Sequence, residues 1–185
     1  MSISFFGKGE NDPGEWVEFG PFRVRVRRIT PEKGREIRKR YGKEVFVDKE
    51  GARVPQRVQS EDENQAMLLD LASFALTEVE RLTLKVEDDE GAKKLKSLLA
   101  LESVDVGQDV SFDGLKLNDA QRKFLLRDLR LDGPFNADDF AMLQDDPEAP
   151  LLKGKRIDLA TFVIFQSRKL AIIQATAAEA VQGNL

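Results

Sequence analysis

The run Phe22-Arg23-Val24-Arg25-Val26-Arg27 constrains the fold more than any other part of the chain. Apolar and basic residues alternate with a period of two, and an extended strand sorts such a sequence onto one buried and one solvated face. Gly20-Pro21 before it permits a tight reversal, so residues 16–19 and 22–29 are expected to form a short hairpin or one bent strand. Thr30-Pro31-Glu32 then stops the strand and opens a helix. The threonine oxygen can accept a free amide of the first turn, and proline at the first helical position gives up only an amide that has no helical partner. That helix is expected to end near Gly42. It is mostly charged, with Ile37 and Tyr41 as a narrow apolar stripe, so most of it faces solvent or a partner.

What can follow is bounded by two absences. The 185 residues include no cysteine and no histidine. Disulfides, thiolate metal sites and nucleophile systems built on histidine are therefore excluded, and no side chain has an ordinary pKa near neutrality. The pairs Asp88/Asp89, Asp138/Asp139 and Asp145/Asp146 do not form a D-x-D-x-D-G calcium loop, and neighbouring aspartates on a helix point about 100° apart. Neither a G-x-x-x-x-G-K-[ST] nor a G-x-G-x-x-G motif occurs. The expectation is a protein that is not an enzyme, with no catalytic, metal-binding or cofactor-binding residues and no cofactor.

Residues 157–165 are the longest strongly apolar stretch, yet they contain Asp158 and fall well short of the roughly 20 residues a bilayer span needs. The first ten residues lack the basic start and apolar core of a signal peptide. A cytoplasmic protein without membrane contact is expected. Its length suits one domain, here residues 15–185, after a loose lead-in at 1–14 that carries Gly7, Gly9, Pro13 and Gly14.

Along that domain, residues 45–47 and 52–54 around Asp48-Lys49-Glu50-Gly51 predict an exposed hairpin. Ser60 and Glu63 form a capping box, and the helix they open reads on to about Arg81, with Leu68, Leu71, Ala72, Ala75 and Val79 on one face. Residues 82–86 read as a strand or a helix end, and 92–101 as a helix. Short alternating runs flank the hairpin-type pair Asp113-Gly114. Asn118 with Gln121 starts a helix to about Leu131, Asn136 or Asp138 caps a shorter one to Leu143, and 144–150 is an acidic loop. The last helix begins near Arg156 or Asp158 and fades around Val181. The fold class is α+β: mainly helical, with a small antiparallel N-terminal sheet and a long C-terminal helix.

Charge is unevenly spread. Residues 21–43 hold ten basic and two acidic residues, a net of +8, and the remainder holds 19 basic against 31 acidic, a net of −12. A basic ribbon and helix could bind nucleic acid or serve a regulatory role, while the acidic remainder favours pairing of these arginines within the protein or with an acidic partner. Arg23, Arg25, Arg27, Arg35 and Arg38 are the candidate contact residues of this block. On the final helix Leu159, Val163, Leu170, Ile173 and Ala177 share a stripe, while Phe162, Ile164, Phe165 and Ile172 lie outside its centre. That width reads first as core. The sharper alternative is a helix that offers Phe162, Phe165 and Ile172 to a partner.

Taken in order, the pattern resembles the tail assembly chaperones of long-tailed bacteriophages and prophages. The resemblance lies in W-V-E-F-G-P-F-R-V-R-V-R-R-I-T-P-E-K-G-R-E-I-R-K, with its aromatic and acidic lead, basic alternating strand and threonine-proline helix start. The central V-S-F-D-G-L-K-L-N-D-A-Q-R-K-F-L-L and the final D-L-A-T-F-V-I-F-Q-S-R-K-L-A are similar to later parts of that pattern, whereas residues 87–101 read as extra length. The resemblance implies a non-enzymatic chaperone in the bacterial host. It would hold the tape measure protein before the tail tube polymerises and help recruit tail tube protein. Self-association is left open, and the acidic remainder weighs against nucleic acid as a partner.

Overall fold

The computed structural model describes residues 12–49, 51–129, 131–136 and 156–182, with side chains on the final helix described as far as Ala171. The alternating run forms the expected hairpin: β1 (Glu15–Phe19) and β2 (Phe22–Val26) pair antiparallel from Glu15↔Val26 to Phe19↔Phe22. Phe22, Val24 and Val26 are buried, and Arg23 and Arg25 lie on the opposite face. Asp12 to Gly14, within the expected lead-in, are tied to this sheet. The Gly14 carbonyl accepts from Arg25 Nε at 3.3 Å and the Pro13 carbonyl from Thr77 Oγ1 at 3.3 Å. Gly14 sits at φ +80°, and a Cβ there would lie 2.5 Å from the Val26 carbonyl oxygen, so only glycine fits.

Helix α1 (Pro31–Lys39) starts as its sequence dictates, Lys33 N donating to Thr30 Oγ1 at 3.2 Å, and buries Gly34 and Ile37. The second hairpin is longer than its apolar residues alone indicated. Strands β3 (Lys43–Lys49) and β4 (Ala52–Val58) pair from Lys43↔Val58 to Lys49↔Ala52. Helix α2 (Glu61–Ala75) opens with the Ser60–Glu63 capping box, at 2.9 and 3.2 Å.

The expected run of that helix to Arg81 is corrected: it stops at Ala75, and Leu76–Glu80 is a strand, β5. Strand β5 pairs antiparallel with β2, giving the sheet order β1-β2-β5. Without it the inner edge of β2 would leave its amides and carbonyls unpaired. The pairing also sets Glu80 across from Arg23 and Glu78 across from Arg25, while Leu76 and Val79 are buried.

Strand β6 (Thr83–Lys85) leads to α3 (Asp89–Leu99), capped by Asp88, whose Oδ1 accepts from Gly91 N at 2.7 Å. Strand β7 (Asp109–Ser111) pairs with β6. Asp113-Gly114 does turn, with Gly114 at φ +72°, but its flanks do not pair with each other: beyond it Lys116 makes a single bridge to Glu78. Helix α4 (Asp119–Lys123) carries the Asn118–Gln121 capping box and widens into a π-helical turn over Phe124–Asp128 that buries Phe124, Leu125 and Leu126.

Strands β8 (Asp132–Asn136) and β9 (Arg156–Asp158) pair antiparallel, an element the sequence reading did not contain, and Asn136 ends β8 instead of capping a helix. The helix read to Leu143 and the acidic loop at 144–150 fall outside the described residues, as do residues 1–11. Helix α5 (Leu159–Gln182) begins at Asp158, whose Oδ1 accepts from Thr161 N at 2.7 Å.

The outcome is an α+β fold with several small antiparallel sheets. One hydrophobic cluster joins β1, β2, β5, α2, the β6–β7 pair, the π-turn and α5. On α5 the expected stripe residues Leu159 and Val163 are buried, and so are Phe162, Ile164 and Phe165. A helix apolar on so much of its circumference is one enclosed on several sides. Ser167, buried among them, accepts from the Ile29 amide at 2.8 Å and ties α5 to the end of the first hairpin.

Candidate functional site

The five candidate arginines divide by surroundings. Arg23 Nε donates to Glu80 Oε2 at 2.6 Å and Arg25 Nη1 to Glu78 Oε1 at 3.0 Å, while both guanidiniums lie over the Trp16 ring at 4.8 and 5.8 Å. These two therefore pair with the chain's own acids. Arg27 Nε donates to the Phe74 carbonyl at 2.6 Å and its guanidinium stacks on the Phe74 ring at 3.8 Å. Arg35, exposed, reaches Glu32 at 3.5 Å, and Arg38 is exposed on the last turn of α1. Because Arg25 and Glu78 remain about a quarter exposed, Arg25→Ala is expected to cost only about 1 kcal/mol in urea unfolding at neutral pH, and less at high salt.

Phe162 and Phe165 are each 2% exposed, and the Phe162 ring meets Phe19 edge-on at 4.9 Å. As packed, neither presents a surface to a partner. The side chain of Ile172 lies outside those described.

Arg27 opens onto a feature the sequence reading missed. Where α1, α2 and α4 meet, the Asp70 carboxylate accepts from the Tyr41 hydroxyl at 2.6 Å and from Lys123 Nζ at 2.8 Å, with Arg40 Nη1 at 3.8 Å. Lys123 also reaches Asp119 at 3.1 Å, and Asp119 accepts from Ser73 Oγ at 2.7 Å. Burial pushes both carboxyls up, but the hydrogen bonds they accept, from Lys123 and Tyr41 at Asp70 and from Ser73 and Lys123 at Asp119, outweigh it and hold both below the usual range. The bond to Asp70 raises the pKa of Tyr41 and is the main cause that raises Lys123. The sequence did carry one sign of this: Asp70 is the lone charge in the apolar run from Ala66 to Ala72. With both carboxylates ion-paired, the arrangement fixes three helices together and leaves no free base. Among the described residues no group of three acids, histidines or cysteines could hold a metal ion.

The second feature is the β3–β4 hairpin. Residues directly opposite share a face, so Val45, Val47, Val54 and Val58 lie on one side and Phe46 with Pro55 on the other. Phe46 is 66% exposed and Val58 50%, and Val45 and Val54 are exposed with them. The base is anchored: Arg57 donates to the carbonyls of Tyr41 at 2.7 Å and Lys39 at 2.6 Å. Gly42, at φ +80°, lets the chain turn there, since a Cβ would lie 2.9 Å from the Val58 carbonyl oxygen. Beyond this base the two strands pack chiefly on each other. A two-stranded ribbon with apolar residues on both faces gains little by standing in water, which makes it the candidate contact surface among the described residues.

Comparison with protein-family models, with curated proteins and with solved structures returns no significant match. The likeness to tail assembly chaperones therefore rests on the order of elements in the sequence. Among the described residues no helix is long and apolar enough to cross a membrane.

Proposed function

We propose that this chain is a non-enzymatic tail assembly chaperone of a long-tailed phage or prophage. It would be one domain, more helix than strand, that works in the bacterial cytoplasm by holding the tape measure protein and helping to recruit tail tube protein. The observation that carries the reading is the β3–β4 arm, which exposes Phe46, Val45, Val54 and Val58 on a base fixed to α1. A tape measure is a long helical chain with apolar faces uncovered until the tube encloses it, and an apolar ribbon with alternating Glu44, Asp48, Arg53 and Arg57 can cover such a face reversibly. Arg23 and Arg25, already paired with glutamates, give the nucleic-acid reading no observation of its own.

Co-expression with a tape-measure segment tests this. Wild type is expected to co-purify with it at moderate salt, and Phe46→Ser to weaken the complex by about tenfold or more, the effect typical of an aromatic anchor. The same substitution should leave unfolding stability within about 0.5 kcal/mol, because the ring covers nothing in the core. Absence of any complex with the wild-type chain would sink the reading.

A further inference from the structure

A pocket of about 230 Å³ opens between α1, α2 and α4 beside the Asp70 cluster. Its wall includes five cations, Arg27, Lys33, Arg40, Arg122 and Lys123, against the two carboxylates of Asp70 and Asp119, a net of +3. Lys123 bridges both carboxylates, and Lys33 and Arg40 share Glu36 at 2.9 and 2.5 Å. Arg122 stands apart from these pairs. Its Nη1 donates to the Leu76 carbonyl at 3.3 Å, and its Nε is enclosed with no acceptor among the described residues. No carboxylate among them makes an ion pair with it. Burial pushes the Arg122 pKa down, and the Asp119 charge opposes this. An enclosed Nε with no acceptor, on a guanidinium that no carboxylate meets in ion-pair contact, is destabilising, and an anion that reached the guanidinium would relieve part of that cost.

We infer that this pocket binds a phosphoryl-type oxyanion, free or as the head of a small phosphomonoester, with Arg122 as its chief partner. With Glu36 set against Lys33 and Arg40, five cations face three carboxylates, and this excess of +2 favours a dianion over a carboxylate, while the guanidinium fork can meet two oxygens of one tetrahedral group. Phe74 lines the pocket but already stacks with Arg27 at 3.8 Å, so the wall is suited to the charged head and not to an added aromatic ring. The inference is independent of the chaperone reading, because it uses none of the hairpin residues.

The test uses the full chain in chloride buffer at constant ionic strength, titrated with inorganic phosphate and, separately, with glycerol phosphate. At about 10 mM either probe should raise the melting temperature by a few degrees over chloride, and the ³¹P resonance should broaden on binding. Tighter binding of glycerol phosphate assigns the site to a carried phosphoryl group, and tighter binding of phosphate to the free ion. Arg122→Gln should weaken binding about tenfold or more, as expected for loss of a charge-assisted contact, while Arg35→Gln on the exposed side of α1 keeps it. Should Arg122→Gln not fold, Lys33→Gln, at the half-buried rim, takes its place with a several-fold loss expected. Phosphate acting no differently from chloride overturns the proposal, as does equal affinity in the wild type and the folded pocket variant.

Discussion

Phe162→Ala is expected to lower the stability of this chain by about 3–5 kcal/mol, a large part of what a domain of this size possesses. Phe162 is 2% exposed, meets Phe19 at 4.9 Å, and Phe19 in turn meets Phe22 at 5.3 Å. The surroundings have little room to close over the vacated space. Gly133 on β8 lies so near Phe19 that a Cβ there would be 2.8 Å from the ring and 2.6 Å from the Ile157 carbonyl oxygen. The β1–β2 hairpin and the β8–β9 strand pair thus both lie against this aromatic cluster, and their ladders resist the collapse that would fill a cavity. Urea unfolding followed by circular dichroism reads the loss. The opposite pattern, full stability with weakened capture of a partner, would mean that Phe162 acts as a contact surface, and the packing of α5 would then be wrong. Phe46→Ser is the counterpart, expected to move capture and leave stability in place.

How far the sequence could be read follows from how local each signal was. Thr30-Pro31, Ser60 with Glu63 and Asn118 with Gln121 each act over three residues, and all three caps form where they were read. The first hairpin is equally local. Strand β5 was illegible because Ala72, Ala75, Leu76 and Val79 keep a helical spacing, while the competing demand, an unpaired edge on β2, comes from about 50 residues earlier in the chain. Strand β8 contains Gly133 and Pro134, which weaken a strand signal, and its last residue, Asn136, was read as a helix cap. Both misreadings had one direction, too much helix and too little strand. The sites divide in the same way. The exposed hairpin could be seen in its own residues, whereas the anion pocket draws on positions from Arg27 to Lys123 and left only the isolated charge of Asp70 as a clue.

That charge supports the second large expectation, that Asp70→Ala costs about 2–3 kcal/mol at neutral pH. The side chain is 16% exposed, so the removal leaves Lys123 and the Tyr41 hydroxyl short of a half-buried partner, somewhat less severe than breaking a fully buried pair. The same site should shape stability against pH. A carboxyl lowered on folding binds fewer protons folded than unfolded, so its contribution is whole above the unfolded value near 4 and is lost as pH falls through the lowered folded value. Asp119 acts in the same direction. Lys123 and Tyr41 are raised, so their contributions are whole below unfolded values near 10 and are lost as pH climbs through the raised ones. A plateau from about pH 5 to pH 9 follows, bounded by two falling limbs. In Asp70→Asn the carboxyl no longer titrates, Tyr41 loses the partner that raised it and Lys123 keeps only Asp119, so both limbs should flatten. Unfolding midpoints in urea from about pH 3 to about pH 11 should show the variant furthest below wild type near neutrality and converging with it toward either end. Parallel curves would mean that Asp70 is held by its shape alone and that its charge does not join the three helices.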